Sequence, residues 1–187
     1  MRIGASLAAV RSTKFSRRNL APLNFVRNPT AAGAVSGSPG TLPTNWSMTN
    51  FGGLTRTVTA GDGYLDLRVV GTSSNTVNRL FFEGTGVVSA ATGQIWYGGL
   101  DIAIIAGSTA NIGTLCLMFL TTDGTTTKAE QGPAIGASLT STLQRFTTTS
   151  ALSQAAVTSV GFALLFNIPG TPAIDITVRV RNPSYSM

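Results

Sequence analysis

The chemistry open to this 187-residue chain is narrowed first by what it lacks, for it contains no histidine. Ser-His and Cys-His nucleophilic catalysis and histidine-based zinc sites are therefore excluded. The single cysteine, Cys116, sits inside the apolar run "LCLMFL" at 115–120. That is the setting of a small buried hydrophobe and not of a nucleophile, and it leaves no internal disulfide. Acid catalysis on a glycoside needs two carboxyl groups about 5–10 Å apart. Asp62, Asp66, Glu83 and Asp101 could supply them, but nothing in their spacing asks for a pair, and Asp62 in "GDG" reads as a turn residue. The expectation is a protein that is not an enzyme and carries no cofactor.

Recognition by a surface is the chemistry that remains. Flat aromatic faces cover the apolar side of a sugar ring, while amides, carboxylates and guanidinium groups bind its hydroxyls. Trp46, Trp96, Tyr97 and Tyr64 are the candidate glycan platforms, with Asn45, Arg56, Arg68 and Gln94 as candidate polar partners. A Trp inside a strand such as "GQIWYGG" more often fills the core, and strand alternation then turns Tyr97 to the opposite face. Tyr97 and Trp46 are the platforms expected at the exposed end.

Charge divides the chain in two. Six of the thirteen Lys and Arg residues (Arg2, Arg11, Lys14, Arg17, Arg18 and Arg27) lie in the first 27 positions, and the first acid is Asp62. From residue 28 onward seven bases face seven acids, so the formal charge of +6 belongs to an arm and not to the body. Residues 1–22 read as a docking arm, extended or partly helical in "IGASLAAV". Leu7, Val10, Phe15 and Leu20 would be its anchors, and Arg2, Arg11, Lys14, Phe15, Arg17 and Arg18 its assembly residues. One aromatic and six scattered charges are thin equipment for gripping nucleic acid, which is not expected as a partner. "SRRNLA" at 16–21 has the look of a twin-arginine export signal, but Pro22, Arg27 and Pro29 follow where such a signal needs an apolar core.

The elements that must position these residues are strands. Apolar residues make up 43% of the chain and charged residues only 11%. Short apolar or alternating segments recur at 54–59, 64–70, 76–83, 94–105, 113–121, 143–149, 159–166 and 174–180. In "YLDLRVV" one face is Leu65, Leu67 and Val69 and the other Tyr64, Asp66 and Arg68, and "IDITVRV" repeats the pattern. "TTDGTTTK" at 121–128 is a hairpin signal, and "PAIGASLTSTLQR" at 133–145 has room for one helical turn. Residues 34–45, with two prolines and two glycines, form a surface loop or an extended crossing strand. About eight strands is the jelly-roll count. No uninterrupted apolar run of about 18 residues occurs, so no membrane span is expected.

Four stretches together resemble a family: "RNPTAAGAVSGSPGTLPTNWS" at 27–47, "GYLDLRVVGT" at 63–72, "GQIWYGGLDIAIIAGSTANI" at 93–112 and "IDITVRVRNPSY" at 174–185. They look like the jelly-roll domains of bacteriophage, prophage and gene-transfer-agent virion proteins, which are similar to carbohydrate-binding modules of the family 4/9 type. The resemblance implies an all-β jelly-roll sandwich of two antiparallel sheets over residues 23–187, displayed on a virion as a head spike, head fibre or tail-associated module. Its partners would be other virion proteins, further copies of itself and host polysaccharide. Relatives of the carbohydrate-binding type hold a structural calcium through an acid near the first strand. Ala31 and Ala32 stand there in this sequence, and Asp101 and Asp175 read more simply as edge or surface carboxylates. A secreted or cell-surface carbohydrate-binding module is the alternative reading.

Overall fold

A computed structural model describes residues 23–170 and 172–187. The assembly residues Arg2, Arg11, Lys14, Phe15, Arg17 and Arg18 lie outside the described residues. The described residues form ten strands: β1 (Ser47–Thr49), β2 (Leu54–Gly61), β3 (Tyr64–Thr72), β4 (Val77–Ser89), β5 (Ile95–Gly107), β6 (Thr114–Thr122), β7 (Thr127–Ala134), β8 (Gln144–Ala151), β9 (Ser159–Asn167) and β10 (Ala173–Ser186). The only helix among the described residues is a single 3-10 turn at Gly136–Ser138. All eight expected segments are strands. The two additional ones, β1 and β7, are short or polar because each lies at a sheet edge, where only one side needs a partner.

The strands make two five-stranded antiparallel sheets, sheet I in the order β1-β4-β9-β6-β7 and sheet II in the order β2-β3-β10-β5-β8. From β3 to β6 each consecutive strand changes sheet, and the chain crosses again at β8, β9 and β10. That is a jelly-roll sandwich, and it makes the last two strands the middle strands of the two sheets. Among the described residues only the β2–β3 and β6–β7 pairs are hairpins between sequence neighbours. Residues 34–45 cross over the sandwich, close on themselves through a bridge from Val35 to Thr41 and touch the sandwich through one from Gly37 to Val58.

Alternation fills the space between the sheets. Leu115, Leu117 and Phe119 of β6 and Phe162, Leu164 and Phe166 of β9 meet Leu65, Leu67, Leu100, Ile102, Val178 and Val180 from sheet II. The intervening residues of sheet I are apolar too, and Phe81, Cys116, Met118, Leu120, Ala163 and Leu165 make a second cluster on its other side. Strands buried on both faces read as continuous apolar runs, which is why "LCLMFL" and "FALLF" show no alternation.

One end of the sandwich is closed by the segment entering it. Glu83 is fully buried, and its carboxylate accepts bonds from the Arg27 amide at 3.2 Å, Arg27 Nε at 2.9 Å and Arg27 Nη2 at 2.6 Å. Asn28 donates to the Ala32 and Thr44 carbonyls, both at 2.8 Å, and accepts from the Ala32 amide at 2.9 Å. Phe25 lies against Trp96 and Tyr185, with ring centroids 5.4 and 5.8 Å away.

Removing Arg27 strands a buried carboxylate, whereas removing both partners does not. Arg27→Ala is therefore expected to lower the urea midpoint more than the double variant Arg27→Ala/Glu83→Leu does. The β6–β7 turn gives a pH signature. The Asp123 carboxylate accepts from the amides of Thr126 at 2.7 Å and Thr125 at 2.8 Å and from both hydroxyls, which holds it well below the usual carboxylate range. A carboxyl depressed in the folded state stabilises above its unfolded value and loses that contribution as pH falls. Wild type should therefore lose stability more steeply than Asp123→Ala as pH drops from about 4 toward 2, read by thermal unfolding across that range.

Candidate functional site

The outer face of sheet II carries the exposed aromatic and polar groups. On β5, Trp96, Gly98, Leu100 and Ile102 turn inward, so Ile95, Tyr97, Gly99 and Asp101 turn outward. Their neighbours across the strands are set by register: Tyr97 lies beside Thr149 and Ser186, Gly99 beside Thr147 and Ser184, and Asp101 beside Arg145 and Arg181. A recess of about 550 Å³ opens there, walled by Tyr97, Arg145, Thr147, Thr149 and Ser184 with Gly99 as its floor. Tyr97 is 52% exposed.

The two adjacent glycines have opposite jobs. A Cβ on Gly98 would run into the rings of Phe162 and Phe119 in the core, while one on Gly99 would run into the Arg145 guanidinium outside. Neither has a positive φ, so both are required by space and not by backbone conformation. Arg145 lies flat over Gly99 and donates to Asp101 Oδ1 at 3.2 Å, to the Asn182 carbonyl at 2.6 Å and to the Ser184 hydroxyl. Asn182 Nδ2 and Arg181 also reach Asp101 Oδ2, at 2.9 and 3.6 Å.

The same face continues across β10 to β3 as a lattice of guanidinium and carboxylate groups. Arg179 makes a two-pronged pair with Asp66 at 2.7 and 2.8 Å and lies 4.1 Å from the Tyr64 ring centroid. The Asp66 carboxylate raises the Arg179 guanidinium above its ordinary value. Arg68 pairs likewise with Asp175 at 3.0 and 2.9 Å, and the bond holds the Asp175 carboxyl below the usual range. Asp101 and Asp175 are thus each engaged by arginine.

Of the four aromatic candidates, only Tyr97 and the half-buried Tyr64 are on this face. Trp46 corrects the expectation: it is 6% exposed, its Nε1 donates to the Asn28 carbonyl at 3.0 Å, and its ring meets Phe82 edge-on. It plugs the end of the sandwich just ahead of edge strand β1, and has no free face for a sugar. Trp96, 1% exposed, packs with Phe25 and Tyr185 in the core and has none either. The polar candidates are dispersed. Asn45 is exposed at a left-handed turn position with φ 71°. Arg56 is spent on the crossing loop, donating to the Pro39 and Gly40 carbonyls at 3.3 and 3.2 Å. Gln94 Oε1 accepts from the Ala91 amide at 2.9 Å and so closes the turn before β5.

Sequence reasoning missed Gly99, Arg145, Thr147, Thr149 and Ser184. The signal for them was the "YGG" following Trp96, since a glycine beside an exposed aromatic marks a place where another side chain must lie close. The arrangement offers one aromatic face, one guanidinium and a ring of hydroxyls, which suits a polyhydroxylated ligand.

No family model matches the chain, and no curated protein matches it. Solved structures do. A cyclase from Fischerella sp. TAU shares 12% identity over 86% of this chain and 94% of its own, with a TM-score of 0.54. The tripod from the baseplate of bacteriophage Tuc2009 shares 16% identity over 89% of this chain and 55% of its own, with a TM-score of 0.51. A CBM4 structure covers 86% of this chain at 12% identity with a TM-score of 0.48, too low to decide anything. The first two matches establish a shared sandwich fold.

The glycine pair supplies a test of the two faces. Gly98→Ala overpacks a closed aromatic core and should cost about 1–3 kcal/mol. Gly99→Ala meets only the tip of a side chain that can swing away and should cost less than about 1 kcal/mol, both measured by urea unfolding.

Proposed function

We propose that this protein is a structural, non-catalytic module of a phage-like particle. Residues 1–22 attach it, and the outer face of sheet II contacts polysaccharide on a host surface. The observation that carries the glycan part is the Tyr97 recess, where an exposed ring, the Arg145 guanidinium and the Thr147, Thr149 and Ser184 hydroxyls surround a glycine floor. The particle part is supported by the fold held in common with the Tuc2009 baseplate tripod and by the charge surplus confined to the arm. Its place is the virion, as one of several copies of the chain on a head spike, a fibre or a tail-associated module. Against hydrolysis, six of the seven carboxylates have named partners: Asp66, Glu83, Asp101 and Asp175 are bound by arginine, Glu130 by Lys128, and Asp123 by its own turn. A fold likeness to a cyclase brings no catalytic residue with it.

Stacking and hydroxyl exchange at one recess give weak binding, since each exchanged hydrogen bond yields about 0.5–1.5 kcal/mol net. Many copies on one particle raise the effective affinity roughly 10²–10⁴-fold. Tyr97→Ala and Arg145→Ala, each displayed at wild-type copy number, should reduce adsorption of particles to host cells and to purified capsular polysaccharide, while Trp46→Phe should leave adsorption unchanged. Undiminished adsorption by Tyr97→Ala would leave a spacer or a base for another adhesin as the better account. Recovery of the chain as a free secreted protein, shortened past Arg18, would favour the cell-surface carbohydrate-binding module instead.

A further inference from the structure

The charges on the outer face of sheet II do not balance at the Tyr97 recess. Toward the β2 edge they match one to one, Arg68 with Asp175 and Arg179 with Asp66. The third carboxylate on that face, Asp101, stands between two guanidiniums, since register places Arg181 of β10 on one side of it and Arg145 of β8 on the other. Arg145 donates to Asp101 Oδ1 at 3.2 Å, while Oδ2 meets Asn182 Nδ2 at 2.9 Å and Arg181 Nε at 3.6 Å. This row therefore carries one positive charge in surplus. No other side-chain acid reaches the recess to cancel it. Residues 1–22 contain none, and Glu83, Asp123 and Glu130 belong to sheet I or its β6–β7 turn. Asp62, in the β2–β3 turn, is three strand spacings from β8, about 14 Å against a screening length of about 8 Å at physiological salt.

The walls point to the same kind of ligand. Thr147, Thr149 and Ser184 bring hydroxyls beside the Arg145 guanidinium, and among the described residues no acidic side chain lines the recess. Asn24, the one amide side chain in the lining, is already engaged: its Oδ1 accepts from the Val26 and Tyr185 amides at 3.0 and 3.2 Å, and its Nδ2 donates to the Pro183 carbonyl at 3.3 Å. A neutral sugar offers hydroxyls, and each brings a proton that needs an acceptor. A carboxylate only accepts, and a guanidinium flanked by hydroxyls is a strong partner for it. The spacing agrees. Arg145 leans from the Asp101 row back over Gly99, which brings its charge to one row, about 7 Å, from Tyr97.

We propose that the recess is selective for a carboxylated sugar, with the sugar ring on Tyr97 and its carboxylate on Arg145. Arg181 is the positioning residue: by sharing Asp101 it leaves Arg145 a charge for the ligand. This rests on the reading of the Tyr97 recess as a polysaccharide site and narrows that site to acidic polymers, of which those built on hexuronic acids have the required group on the ring itself.

The test is an array of bacterial capsular polysaccharides, each printed as the native polymer and after reduction of its carboxyl groups to alcohols, and probed with the full chain at physiological ionic strength. Basic residues outside the recess attract any polyanion, so binding is counted only where Tyr97→Ala lowers it, the other charges being the same in both chains. Tyr97-dependent binding should fall at least about tenfold on carboxyl reduction, the range of a hydrogen bond to a charged group. Arg145→Gln should lose binding to the native polymers by a similar factor. Arg181→Gln should lower the ratio of native to reduced signal about two- to fivefold, and Arg181→Lys should restore it. A purely structural Arg181 would lower both signals together, and an unchanged ratio in Arg181→Gln would overturn its positioning role. Tyr97-dependent binding that survives carboxyl reduction would overturn the selectivity and leave the polysaccharide reading in place. No Tyr97-dependent signal anywhere on the array would remove both. The comparison of native with reduced polymer uses the wild-type fold, so it decides the selectivity even if an arginine variant does not fold.

Discussion

A charge that cannot reach water organises the end of the sandwich where the candidate site lies. Glu83 sits on β4 with no exposed surface, and a carboxylate there is tolerable only if cation and amide donors come to it. They come from Arg27, whose amide and guanidinium both bind it. That clasp fixes the course of residues 24–28. It lays Phe25 over Trp96 and Tyr185, and it holds Asn24 against Pro183 and Tyr185, so that Asn24 becomes part of the rim of the Tyr97 recess. Local contacts that look independent, an aromatic lid, an asparagine clip and the rim of the Tyr97 recess, thus follow from one buried oxygen pair.

Three other acids are used in a different manner. On the outer face of sheet II, Asp66, Asp101 and Asp175 lie in partly wet surroundings and are each matched with a planar guanidinium across a strand. Exposed pairs of this sort contribute little stability one by one. What they contribute is geometry: each arginine is held flat and lengthwise on the sheet, and the surface stays level enough for an extended ligand to lie on it. The cost in chemistry is that these carboxylates are no longer free to act as proton carriers or cation ligands.

Much of this was legible in the sequence, and the limits are physical. Alternation in "YLDLRVV" and "IDITVRV" gives both the strands and their inward faces, because period two leaves no choice once one face must be dry. "WYGG" places Trp96 inside and Tyr97 outside for the same reason. Trp46 was not legible: it lies before a three-residue edge strand, too short to carry a pattern, and only the three-dimensional end of the sandwich decides that it is a plug. The partners of Tyr97 were hidden as well. Arg145 and Ser184 are 48 and 87 residues downstream of it, and they meet it only through the order of strands in sheet II, which no local signal encodes. The double-sided apolar strands β6 and β9 were visible as uninterrupted runs, though a run alone does not say what covers the second face.

The place of the last two strands in the sheets has a consequence for how the protein comes into being. β9 joins β4 to β6, and β10 joins β3 to β5, so neither sheet exists as a sheet until residues 159–186 have been made. During synthesis the β2–β3 and β6–β7 hairpins can form early. Each then waits with an unpaired edge and an apolar face that only residues 159–186 can close. A nascent or truncated chain is consequently two half-sheets with sticky borders. Pairing of β9 and β10 is therefore the step that closes both sheets and covers those borders.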